Sequence, residues 1–203
     1  MPTPAERRDL AAIRAELRRF ARYDDESIVH EVWIRQRYDR GLAQGFAAAR
    51  KAAVRTAWHE AGHAVAALAV GGRFSSASIR AGRDHQGRVH HVSGAGELAF
   101  VIDAAGQIAE RLRDWTMLET DGELRAWLPG WRGDGGDARH FRAAIRARFG
   151  TDEAAAWRYS ERLLIPMRMT IRELARALLV HPKHIPYGVA AAIASPPGRR
   201  SGS

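Results

Sequence analysis

From Phe46 to Val70 the chain runs for 25 residues without a proline, with Gly62 as its one glycine and a texture rich in Ala and Val. That run, closed by Gly71-Gly72, predicts a long helix that stops at a glycine pair. Its apolar character places much of it inside the protein. Yet its centre reads Trp58-His59-Glu60-Ala61-Gly62-His63. His59 and His63 are four residues apart, so on a helix both imidazoles leave the same face, with Glu60 beside them. Two imidazoles and a carboxylate are costly to bury unless something such as a metal ion partners them. Gly62 weakens the helix by about 1 kcal/mol relative to Ala, which predicts that another element packs closely there. An ordinary solvated His-Glu-His face is the competing interpretation, and the apolar flanks weigh against it.

The rest of the chain is read around this helix. Leu10, Ile13, Leu17 and Phe20 recur at spacings of three and four, predicting an amphipathic helix from Pro4 to about Arg22. Asp24-Asp25 opens a second, with Ile28, Val32 and Trp33 on one side. Phe74–Arg80 and Gly87–Val92 are short and carry Ser, Ile, Val and His around a Gly/Asp turn, predicting two strands. Glu97–Trp115 returns to helical spacing, and the Gly- and Trp-containing stretch from Asp114 to Asp137 predicts a long surface loop. Trp127 and Trp131 within it are expected to pin that loop by packing. Helices follow over Ala138–Phe149, Glu153–Leu164 and Met169–Val180, with Pro166 interrupting between the last two. The fold class is therefore mainly α, a helical domain with two or three short strands. Residues 1–48 form N-terminal amphipathic helices, 49–194 the main domain and 195–203 a flexible tail.

A catalytic zinc takes three protein ligands and keeps one position open for water. His59 and His63 supply two, and no third histidine follows at close spacing. Asp103, Glu110, Asp134 and Asp137 are the carboxylates to weigh for the third. Asp137 is preferred because it follows a glycine-rich approach and opens a helix, where a carboxylate is held in place. Zinc there would activate water, and Glu60, beside the metal without binding it, would serve as the general base.

The string His59-Glu60-Ala61-Gly62-His63-Ala64 resembles the metal-binding helix of the FtsH family of ATP-dependent zinc metalloproteases. Ala105-Gly106-Gln107-Ile108-Ala109-Glu110 is similar to a second helix of that family, and the leucines from Leu163 to Leu179 are similar in spacing to its C-terminal helix. The resemblance covers roughly residues 50 to 182. It implies a zincin-like peptidase domain, with Asp137, 74 residues after His63, as the third zinc ligand. Glu110 is assigned to orienting a ligand imidazole. The strand at Gly87–Val92 would pair with an extended protein or peptide substrate by edge addition, bringing Val89 and one of His90 and His91 near it. Two departures stand out. Gly135-Gly136 replaces the family's Ser-Asn before the ligand aspartate, which keeps Asp134 a rival, and no Gly-x-x-x-x-Gly-Lys-Ser/Thr loop occurs in the chain. The expected activity is thus a zinc endopeptidase, ATP-independent on its own, cleaving flexible or unfolded segments or served by a separate ATPase or adaptor. The alternative is a metal-binding interaction module that does not turn over.

Composition excludes other classes. The absence of cysteine removes disulfides, thiolate nucleophiles and Cys-ligated metals. The net charge of +9 is arginine charge, since Lys51 and Lys183 are the only lysines. These arginines are interleaved with acids rather than gathered in a stripe, which places nucleic-acid binding last. No run approaches the ~20 apolar residues of a membrane helix, and no apolar segment follows the charged N-terminus, so a soluble, cytoplasmic protein without membrane contact is expected.

Overall fold

The computed structural model describes residues 2–35, 46–79, 87–90, 92–131, 136–181 and 184–195. Helices α1 (Pro4–Arg19), α2 (Asp25–Arg35) and α3 (Phe46–Ala69) precede strands β1 (Ser76–Ser78) and β2 (Arg88–His90). Helices α4 (Ala99–Asp114), α5 (Asp121–Trp127), α6 (Asp137–Ala144), α7 (Arg146–Phe149), α8 (Glu153–Leu164) and α9 (Arg168–Val180) follow. Strand β3 (Ile185–Pro186) and helix α10 (Tyr187–Ala194) close the chain. The mainly helical class with a small sheet is as expected. The sheet is antiparallel, in the order β2-β1-β3, with Ala77 of β1 opposite Val89 on one side and Ile185 on the other.

The centre of the fold is the seam between α3 and α4. The two helices run antiparallel, because His63 meets Ile102 while His59 meets Glu110. Ala105 and Ala109 of α4 face Gly62 there, and Ala57, Ala61, Ala64 and Ala104 of the same two helices are also buried. Gly62 sits where a Cβ would come within 2.6 Å of the Ala109 Cβ and press on the Ala105 carbonyl. The close packing predicted from Gly62 is therefore present, and α4 is the partner. Helix α9 covers the other side of the seam with Ile171, Leu174, Ala175 and Leu178. The apolar residues of α1 and α2, among them Leu10, Ile13, Ile28 and Val29, enter the same core.

Several boundaries differ from expectation, each for a local reason. The stretch after Asp114 is not one long loop: Thr120 and Glu123 form a capping box that starts α5. Arg158 ties that helix to α8 through Asp121 and the Leu118 carbonyl. Trp127 and Trp131 do pin this segment, stacked on each other and packed edge-on against buried Trp157. The helix expected over Ala138–Phe149 divides at Ile145 into α6 and α7. The strands are shorter than their sequence windows, and α1 ends at Arg19 with Phe20 as its cap. Among the described residues, no helix is long and apolar enough to cross a membrane.

The seam gives a first test. Gly62→Ala raises helix propensity by about 1 kcal/mol, but the added methyl overpacks the α3–α4 contact at a cost of about 1–3 kcal/mol. A lowered urea midpoint is expected, whereas an exposed helix glycine would give a raised one.

Candidate metal centre

His59 and His63 lie on successive turns of α3, nearly buried, with their rings edge-to-face. Asp137 is the first residue of α6, reached through Gly136 at φ +101°, a left-handed turn that glycine adopts without strain. The chain thereby returns a carboxylate to α3 across 74 residues of sequence. The two Nε2 atoms are 3.0 Å apart, and Asp137 Oδ2 lies 3.2 Å from His59 Nε2 and 3.3 Å from His63 Nε2. Three ligand-type atoms thus face a common point.

These spacings fit a zinc ion. With bonds of about 2.0–2.1 Å in a tetrahedral arrangement, ligand atoms stand about 3.3 Å from one another. The backs of both rings are held in the required tautomer. His63 Nδ1 donates to the Ile102 carbonyl at 2.7 Å, and His59 Nδ1 donates to Glu110 Oε1 at 2.8 Å. With Nδ1 carrying the proton, each Nε2 is free to present its lone pair to an ion. Gly106 completes the cradle, since a Cβ there would lie 2.5 Å from His59 Nε2 and 2.6 Å from His63 Nε2. A side chain at that position would occupy the space the ion needs.

Electrostatics point the same way. Burial pulls the His59 imidazole down, but hydrogen bonds to Asp137 and Glu110 outweigh it and raise it to about 10. Burial likewise opposes charge on His63, and Asp137 nonetheless raises it. For Asp137, burial favours the neutral acid, while the two imidazoles hold its carboxyl below the usual range. Positive charge is stabilised at this point, which suits a divalent cation; such an ion would bind by displacing protons from the ring nitrogens.

The triad forms the floor of a cleft of about 990 Å³ bordered by α3, β2, residues 92–99, α4 and α6. Glu60 borders it with little exposure, beside Gly87, where a Cβ would come within 2.9 Å of Glu60 Oε1. Of the other sequence-derived candidates, Glu110 stands behind His59, and Val89 lines the cleft. His90 is not among the lining residues, and its carbonyl accepts hydrogen bonds from Ser75. Asp103 borders the cleft outside the triad, and burial raises its carboxyl to about 6. Asp134 and His91 lie outside the described residues.

Two cleft residues were not singled out from sequence. Arg55 Nε contacts Glu110 Oε2 at 2.8 Å, extending the line from guanidinium to carboxylate to imidazole. Its signal was present, since Arg55 precedes His59 by four and therefore shares its face. His140, three residues after Asp137 on α6, lines the cleft by the same logic. The Ile102 carbonyl had no signal, because any residue type supplies one.

His59, His63 and Asp137, with Glu60 adjacent in sequence, are residue types that hold and serve zinc in metallopeptidases. Residues 47–116 match the Peptidase M50B-like family, whose M50 peptidases depend on zinc. The match covers about a third of the chain; it takes in α3, β1, β2 and α4 and ends before Asp137. It suggests a zinc metallopeptidase and does not extend to the FtsH type that the motifs resemble. No curated protein and no solved structure matches the chain.

The hydrogen bond behind His59 can be tested directly. Glu110→Ala is expected to weaken zinc binding about 10- to 100-fold, read by competition with a chromogenic chelator. Unchanged affinity would show that Glu110 plays no part in orienting the ring.

Proposed function

We propose that the protein is a zinc-dependent endopeptidase that hydrolyses peptide bonds in flexible or unfolded segments. The observation that carries this is the convergence of His59, His63 and Asp137 on one point in an open cleft, with Glu60 adjacent in sequence and bordering the same space.

When bound, zinc supplies a Lewis acid that polarises a carbonyl and lowers the pKa of water into the neutral range. His59, His63 and Asp137 would hold the ion, and the Glu110 and Ile102 contacts fix the two rings against rotation. Glu60 would accept a proton from the attacking water as its oxygen bonds to the peptide carbon. It would then deliver that proton to the amine nitrogen as the C–N bond breaks. Strand β2 is at the edge of the sheet, so its outer side can pair with an extended segment. Val89 then contributes a cleft-facing side chain; His90, already bonded to Ser75 through its carbonyl, stands further from the bond to be cut.

An extended substrate must first be unfolded. A segment that is already flexible meets this requirement, and so does one delivered by an ATPase or adaptor. M50 peptidases are often membrane proteins; among the described residues no helix is long and apolar enough to cross a membrane.

Zinc-loaded wild type is expected to digest casein or a flexible peptide library. Glu60→Gln should keep its zinc, by metal analysis, and lose cleavage by about 100-fold or more. A Glu60→Gln protein that holds zinc and digests at the wild-type rate would remove the mechanism. Zinc-loaded wild type that cleaves nothing would favour a metal-binding interaction module.

A further inference from the structure

The cleft runs along the α3–α4 seam. Because α3 and α4 are antiparallel, Arg55 and Glu110 mark one end of the seam while His63 and Ile102 mark the other. Eight residues of helix separate Arg55 from His63, about 12 Å of rise. Arg88 lies at the Arg55 end, since its neighbour Gly87 rests against Thr56 and Glu60. Both arginines border the cleft.

At the opposite end stands Asp103, next in sequence to Ile102 and three residues before Gly106, hence one turn from the floor of the triad. It is half-buried in the cleft wall, and among the described residues no hydrogen bond or ion pair engages its carboxylate. The charged and titratable groups that act on it are His63 of α3 and Asp137 and His140 of α6. None of the zinc or proton-transfer roles above uses it. A carboxylate set into a wall without a hydrogen-bond partner is an incomplete ion pair, and a partly buried site favours a cationic partner more strongly than open water does.

We propose that Asp103 is a specificity residue that accepts an Arg or Lys side chain of the substrate next to the scissile bond. An extended peptide rises about 3.3 Å per residue, so a side chain one or two positions from the carbonyl held over the triad reaches the Asp103 wall. This inference rests on the peptidase function proposed above.

The test uses three flexible peptides that differ only in carrying Arg, Ala or Glu beside one cleavable bond, in both orientations. Cleavage is read for zinc-loaded wild type, Asp103→Asn and Asp103→Lys. Binding of the same peptides, fluorescently labelled, is read by anisotropy on zinc-loaded Glu60→Gln with and without Asp103→Asn. The Arg-to-Ala ratio of wild type, in cleavage and in binding, is expected to be about tenfold or more, as for a charge-assisted pair. Asp103→Asn should bring the ratio toward one, and Asp103→Lys should turn the preference to the Glu peptide. Matched zinc content and circular dichroism show that the variants are folded. A wild-type ratio near one, or a basic preference that survives in Asp103→Asn, overturns the assignment. If wild type cleaves none of the peptides, the peptidase function fails, and the anisotropy ratio alone then upholds or overturns Asp103 as the cation-binding group.

Discussion

The site depends on how closely α3 and α4 approach. Packed helices lie 8–10 Å apart depending on the side chains at the contact, and small residues let two backbones come close. Gly62, Ala105 and Ala109 provide that approach at the seam, and Gly106 leaves room beside the two imidazoles. The same contact buries alanines along its length and so contributes to the core as well as to the site. Stability and metal geometry are therefore coupled, because bulk added at the seam disturbs both.

Around that contact the polar groups are arranged in successive layers. The imidazoles face Asp137 with one nitrogen and a fixed acceptor with the other. Glu110, which is itself buried, is balanced by Arg55 at the mouth of the cleft. A buried carboxylate facing two imidazoles is stable only with positive charge among them, supplied by protons or by a metal ion. The choice between them is the chemical switch of the site. Glu60 is adjacent to His59 in sequence yet outside the triad, as the proton-transfer role proposed for it requires.

The helix carrying His59, Glu60 and His63 was legible in the sequence because length, apolar composition and the four-residue spacing all agree on it. The third ligand was narrowed to a few aspartates and glutamates by chemistry, and to Asp137 by resemblance. Periodicity does not say which distant helix start returns to α3. The sheet was legible only in outline, since strands of two or three residues carry almost no alternation. β3 includes Pro186, which is tolerated because β3 lies at the sheet edge. Helix α5 was hidden by its glycine-rich surroundings although Thr120 and Glu123 carry the capping-box spacing. Asp103 was visible as a carboxylate, but its position beyond the triad emerged only once α4 was set antiparallel to α3.

The central claim is that His59, His63 and Asp137 share one zinc ion, and X-ray absorption at the zinc edge tests it most directly. Wild-type protein at stoichiometric metal should give two imidazole nitrogens and carboxylate oxygen at about 2.0–2.2 Å, and the oxygen contribution should change in Asp137→Ala. Spectra identical in the two proteins, or a wild type that retains no zinc after removal of excess metal, would contradict it.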